Sequence, residues 1–419
     1  MTLLAPARHS VRIALGTTLV AITFLAAPAA ADDFGKFLDR AKKEMLKDQL
    51  SPQHLDRLSA QHNLGETHPV KTQDGWTLVA HRFRPKGAPK PGADPVILCH
   101  GLGYNALFWN LNPACSLPDY LTSNGYDVWV VDLRGCGSSQ KWVWKLDDTP
   151  SLIVGSAIRN LSGGKVAPTG YATIDPKYAN WSLDHHIYFD VPAFVNLVKR
   201  KTGAQNVTWI GHSMGGIVAL GHLGRFPNPG IGRLVTIGSQ VTMPDGQIIV
   251  QFAREMLKVR ELQVAGGITG KQLADASKTS VDNLFFNERN SPPDVYTALS
   301  SWAKDVPSAG LMKQYMSLAE TGELIDSRRQ FNYAKSLGKI TIPVLITCGA
   351  VDQLAPPTVQ QFLYNNIGST DKTVVIFGRQ SGFAVDSGHN DSVVGNNSKA
   401  QVYPVIERWM SGARKTAAR

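Results

Sequence analysis

A chain of 419 residues that is 43% hydrophobic and 18% charged, with no low-complexity tract, can bury a large core, which excludes a disordered or fibrous protein. Its formal net charge of +10 is dispersed apart from Lys199 to Lys201 and the tail "SGARKTAAR". It therefore reads as a solvated face, and with no aromatic-interleaved basic motif nothing points to nucleic acid as a partner.

The first element is a leader. Arg8 and Arg12 precede an uncharged stretch from Ile13 to Ala31 in which Ala29 and Ala31 supply a small-residue cleavage pattern, so residues 1–31 are expected to be a signal peptide for export. The alternative, a retained anchor, requires a run of about 19 residues to span a bilayer at close to the minimum length. Cleavage takes the formal charge from +10 to +8 through loss of the two arginines. Phe34, Phe37, Leu38, Ala41, Met45 and Leu46 then recur at helical spacing, predicting an amphipathic helix from Asp32 to about Leu50. "HPVKTQDGWTLVAHRFRP" follows, two β-rich runs around Asp74 and Gly75, which is a hairpin signal.

From Pro95 the texture changes. Short apolar runs ("PVILC", "DVWVVD", "VTWI", "RLVTIG", "PVLITC", "TVVIF") alternate with longer helical segments, as expected of a mostly parallel sheet covered by helices on both faces, an α/β fold. Two insertions interrupt it. Residues from about 141 to 180 look irregular, and residues 242–337 look mostly helical. The second carries too many apolar residues, Ile248, Phe252, Leu257, Leu284, Phe285, Phe286, Trp302, Leu311, Met312, Tyr315 and Met316 among them, to be disordered, so it is expected to form a helical cap or lid. The core is then 32–241 with 338–419. Trp142, Trp144 and Trp181, in or beside the first insertion, are expected to extend the cap's apolar wall.

The chemistry sits in "WIGHSMGG". A GxSxG sequence between an apolar strand and a helix is a nucleophile elbow: the tight turn leaves no room for a Cβ at Gly211 or Gly215 and lifts the Ser213 hydroxyl towards the helix N-terminus. A serine hydroxyl needs a base and an orienting carboxylate, in the chain order Ser, Asp or Glu, His. Asp352, just past "PVLITC", is the expected acid, ahead of Asp245, Asp386 and Asp391. His389, in the Gly-containing loop after "TVVIF", is the expected base and should lie exposed. His185 and His186 read as helix-start residues, while His100 and His212 read as locally hydrogen-bonded. The backbone N–H groups of Met214 and Leu102, the latter in "CHGLGYN", are the expected oxyanion donors.

Cys99 and Cys348 end apolar strands and should be buried free thiols, whereas Cys115 and Cys136 lie near one another and leave a bridge open, an even count fixing no pairing. No CxxC or HxxxH spacing suggests a metal, and the chain has no dinucleotide or P-loop motif, so no cofactor is expected.

"HPVKTQDGWTLVAHRF", "CHGLGYNALFWN", "LTSNGYDVWVVDLRGCGSS", "GHSMGG", "GAVDQLAPP" and "GHND" together resemble the α/β-hydrolase superfamily, and within it the acid-lipase type of neutral lipid esterase. The resemblance implies a triad of Ser213 as nucleophile, Asp352 as acid and His389 as base, with Leu102 and Met214 at the oxyanion. It implies an interfacial lipase or esterase with a mobile lid, acting on apolar esters. An exported peptidase or polyester depolymerase would keep the same triad, and a non-catalytic binding protein would keep only the fold.

Overall fold

The computed structural model describes residues 64–111, 113–140, 144–147, 171–174, 180–227, 229–243, 285–291, 295, 299, 303, 305 and 307–412. The expected leader, the helix from Asp32, Asp245 and much of the expected cap lie outside these residues.

The hairpin forms as its sequence predicts. Strand β1 (Glu66–Lys71) pairs antiparallel with β2 (Thr77–Phe83), and Gly75 at the turn has φ 91°, in the left-handed region where a side chain would be strained. The apolar runs become β3 (Val96–Cys99), β4 (Val128–Asp132), β7 (Val207–His212), β8 (Ile231–Ile237), β9 (Val344–Gly349) and β10 (Lys372–Phe377), separated in sequence by a short ribbon of β5 (Trp144–Asp147) and β6 (Tyr171–Ile174). Eight strands join in the order β1-β2-β4-β3-β7-β8-β9-β10. Pairing is parallel from β4 to β10 and antiparallel at β1–β2 and β2–β4.

Burial on both faces explains why these strands read as continuous apolar runs. Ile97, Trp129 and Trp209 point into one hydrophobic cluster and Leu98, Val130 and Ile210 into the other. Residues of α2 (Val191–Thr202) and α3 (Met214–Arg225) cover the first face, among them Phe194, Val198, Ile217 and Val218. On the second face lie residues of α1 (Leu117–Ser123) and α7 (Tyr403–Met410), Leu117, Leu121, Tyr403 and Ile406. Each fully buried aliphatic or aromatic side chain contributes about 1.5–3 kcal/mol. In α2 the buried Val191, Phe194, Val195 and Val198 recur at helical spacing, and Gly203 (φ 75°) ends the helix in the left-handed conformation. Three further helices are α4 (Ala309–Thr321), whose first turn is capped by the Ser308 hydroxyl accepting from Leu311 N–H, α5 (Pro357–Asn366) and the short α6 (Asp391–Val394).

Two expectations need correction, and one open question is settled. The first insertion is not wholly irregular, since β5 and β6 pair antiparallel within it; their backbone register is a long-range property that local composition does not show. Trp181 does not face a cleft: it is buried in the core, edge-on to Trp76 at 5.3 Å between ring centroids, and it fills the space left by the missing Cβ of Gly135. Trp142 lies outside the described residues. The open Cys115–Cys136 bridge is not made. All four cysteines are buried and none is in a disulfide, and the Cys115 thiol donates to the Val394 carbonyl at 3.1 Å instead. Cys99 and Cys348 do lie in strands, where burial pushes both thiols up in pKa and leaves them protonated.

Candidate active site

Leu102, Ser213, Asp352 and His389 follow the carboxyl ends of β3, β7, β9 and β10, and this topology gathers them at one edge of the sheet. Ser213 bridges β7 and α3 with φ 51° and ψ −119°. A side chain in that region costs about 1–3 kcal/mol and persists only where its surroundings enforce it. The enforcement is visible: Ser213 N–H donates to the Ile237 carbonyl at 2.8 Å, and its own carbonyl accepts from the Ser239 hydroxyl at 2.9 Å. The flanking glycines are steric necessities. A Cβ on Gly211 would lie 2.3 Å from the Gly215 carbonyl carbon, and one on Gly215 would lie 2.1 Å from the Cys99 carbonyl oxygen.

Asp352 and His389 are brought together. The Asp352 carboxylate accepts from Leu354 N–H at 3.0 Å and Ala355 N–H at 2.8 Å through Oδ1, and its Oδ2 lies 2.8 Å from His389 Nδ1. An ionised carboxylate only accepts, so this contact puts the imidazole proton on Nδ1 and leaves the Nε2 lone pair free to take one.

His389 was expected in an exposed loop, yet it is only 2% exposed. The reason is that its loop is tied to the body of the protein from several sides. The Asp391 carboxylate, a competing acid in the sequence, accepts from Gly388 N–H, Asn287 N–H and the Asn290 amide, and so caps the loop instead. The Asn390 amide donates to the Tyr104 hydroxyl at 2.8 Å, and the His389 carbonyl accepts from the Ser392 hydroxyl at 2.8 Å. Asp386 accepts from Arg379 N–H at 2.8 Å, so it too serves the backbone.

The other histidines divide. His100 bonds locally, its Nδ1 donating to the Gly101 carbonyl at 2.9 Å while Nε2 accepts from Leu133 N–H. His185 accepts from Ser182 N–H at the start of a short helical turn, and His186 donates to Asp190 at 2.7 Å. His212 departs from the expected local bonding: its Nε2–H reaches across to the His389 carbonyl at 3.1 Å, and its ring stacks on Phe108 at 4.6 Å. Burial, reinforced by His389, holds His212 well below the usual imidazole pKa, so it stays neutral. Sequence reading missed this strut, for which the only local sign was its position beside the nucleophile.

Ser213 and His389 line one cavity, about 420 Å³ of empty space including its open mouth. Leu102, Ile217, Leu354 and Phe285 give it apolar walls, and Tyr104, Gln240 and Tyr315 complete it. The His-Gly turn after β3 abuts the elbow, since a Cβ on Gly101 would lie 3.1 Å from the Ser213 Cβ. Met214, the first residue of α3, follows the serine in sequence and is buried.

The chain belongs to the α/β-hydrolase fold family, whose model matches residues 94–391. It is similar to lipase member K of Homo sapiens, 33% identical over 162 residues that make up 37% of this chain and 33% of the relative. It is similar also to lipase 1 of Drosophila melanogaster, 30% identical over 182 residues, 42% of this chain and 34% of the relative. The chain thus spans about a third of the length of the curated relatives it matches. Among solved structures, an esterase from Exiguobacterium antarcticum superposes with a TM-score of 0.52 at 18% identity, covering 83% of this chain and 100% of that one. A thermophilic esterase from Thermogutta terrifontis superposes with 0.52 at 16% identity, covering 84% and 100%. These two share the fold.

Proposed function

We propose that the protein is a serine hydrolase of carboxylic esters with apolar acyl chains, working through Ser213, His389 and Asp352. The Ser213 oxygen attacks the ester carbonyl carbon as its proton passes to His389 Nε2, and Asp352 stabilises the resulting imidazolium through Nδ1. The N–H groups of Leu102 and Met214 receive the negative oxygen of the tetrahedral intermediate. As that intermediate collapses, the carbon–oxygen bond to the alcohol breaks and His389 returns the proton to the departing oxygen. Water, activated by the same imidazole, then releases the acid from the acyl-serine.

The observation that carries this reading is the 2.8 Å contact orienting His389 beside a strained serine in one cavity. Apolar walls support an acyl substrate. Phe285 and Tyr315, both from 242–337, line that cavity and support a cap over the site. The charged-then-apolar pattern of residues 1–31 supports export.

The test is hydrolysis of p-nitrophenyl esters of graded chain length, with and without a lipid interface, against matched anilides. Ester cleavage that falls at least about 1000-fold in Ser213→Ala is expected. Equal or faster cleavage of the anilides, or full activity in Ser213→Ala, would overturn the assignment.

A further inference from the structure

One polar atom on each of two cavity side chains has no partner. Gln240 and Tyr315 are 4% and 5% exposed, both line the space shared with Ser213 and His389, and neither the Gln240 Oε1 nor the Tyr315 hydroxyl meets a hydrogen-bonding group. Of the thirteen buried side-chain atoms without a partner among the described residues, these two alone belong to residues that line this cavity. Other buried groups of the same kinds are bonded. The buried phenols of Tyr126, Tyr333 and Tyr403 bond to Glu407, Asp184 and the Val393 carbonyl, and that of Tyr104 accepts from Asn390. Gln314, adjacent to Tyr315 on α4, is bonded through both ends of its amide. A buried polar atom left unpaired costs about 1–3 kcal/mol, so two in one cavity constitute a stored demand for a ligand group.

The chemistry of that group follows from the pair. Burial pushes the Tyr315 phenol up in pKa, keeping it a hydrogen-bond donor, while the Gln240 carbonyl oxygen is an acceptor. A neutral hydroxyl, which accepts once and donates once, satisfies both. A carboxylate or phosphate does not, because no Lys or Arg lines the cavity among the described residues.

Resting on the ester-hydrolase reading above, we infer that Gln240 and Tyr315 bind a hydroxyl carried by the substrate, so that hydroxyl-bearing apolar esters are the preferred class over plain alkanoates. Gln240 is well placed for this, one residue beyond Ser239, whose hydroxyl holds the Ser213 carbonyl. Two sources carry the same chemistry: a hydroxylated acyl chain, or the free hydroxyl of a partial glyceride.

Matched substrates separate them. One arm compares p-nitrophenyl butyrate with p-nitrophenyl β-hydroxybutyrate, and the other compares propyl butyrate with glycerol monobutyrate, each in the wild type, Tyr315→Phe and Gln240→Met. In the wild type kcat/KM is expected to favour the hydroxylated member of one pair by at least about tenfold, and the arm that responds names the source. In both variants that ratio is expected to fall towards one. No discrimination in either arm, or a ratio unmoved in Tyr315→Phe, overturns the inference while leaving the esterase reading standing. Absence of any ester cleavage by the wild type defeats both. Thermal melting accompanies the kinetics: Tyr315→Phe keeps the ring and removes an unpaired group, so its melting temperature is expected not to fall. Should Gln240→Met not fold, Tyr315→Phe alone decides.

Discussion

Replacing Asp352 with Asn changes one atom and should disable the site through a tautomer. In the native arrangement Oδ1 accepts from the Leu354 and Ala355 N–H groups while Oδ2 faces His389 Nδ1 at 2.8 Å. Two backbone donors force the oxygen of an asparagine into the Oδ1 position, since its NH₂ there would meet N–H against N–H. The NH₂ then faces His389, which can bond to it only by presenting a bare Nδ1 and moving its proton to Nε2. That imidazole cannot take the Ser213 proton. The corresponding substitution in chymotrypsin-like triads lowers kcat about 10,000-fold, which at 1.36 kcal/mol per tenfold is about 5.4 kcal/mol of transition-state stabilisation. Because the side chain is isosteric, the fold should lose no more than about 1–3 kcal/mol. The assay is kcat on a short-chain p-nitrophenyl ester beside a urea melt of the same preparation. A folded Asp352→Asn enzyme within tenfold of wild-type kcat would refute the reasoning.

The remaining predictions concern the elbow, the base and pH. Gly215→Ala, whose Cβ would sit 2.1 Å from a backbone carbonyl oxygen, is expected to lower stability by about 1–3 kcal/mol or more and to abolish activity, whereas Gly87→Ala, with nothing within 4 Å, is expected to do neither. Equal urea midpoints for the two would contradict the packing of the turn. His389→Ala should lower activity as much as Ser213→Ala and, because the residue is buried and leaves Asp352 Oδ2 unpaired, should also cost about 1–3 kcal/mol in a melt; an unchanged midpoint would argue against it. Burial lowers His222 to about 4 and depresses His100, His186 and His212 as well. A folded-state pKa below the unfolded 6.5 gives stability that is full above pH 6.5 and is lost as pH falls towards the folded pKa, at about 1.4 kcal/mol per pH unit for each histidine. Urea midpoints should therefore drop steeply between pH 6.5 and 4, and a flat profile would exclude neutral buried histidines.

The strands were legible because both faces of a parallel sheet are buried: "PVILC" is wholly apolar, and in "PVLITC" the one polar residue, Thr347, is buried and bonds to the Thr236 carbonyl. Gly75 marked the hairpin turn, and the glycines around Ser213 announced a turn too tight for side chains, a constraint that is local and therefore readable. Long-range partners were not readable. His212 bonds to a carbonyl in a loop far along the chain, and Gln240 and Tyr315, far apart in sequence, line one cavity. Trp181 looked like a cleft residue and proved to be core, since its apolarity says nothing about which neighbour, here Trp76, receives it. His389 looked exposed because glycines and polar residues surround it in sequence, yet those same polar residues tether the loop and bury it.

The most direct measurement is covalent labelling. The protein is treated with an alkyl p-nitrophenyl phosphonate, and the adduct is located by peptide mass spectrometry while residual ester hydrolysis is followed on the same samples. One phosphonyl group on Ser213, appearing in step with loss of activity, absent in Ser213→Ala and strongly slowed in His389→Ala, is expected. An unmodified Ser213 in fully inactivated protein, or labelling that persists in Ser213→Ala, would contradict a nucleophile at that bend.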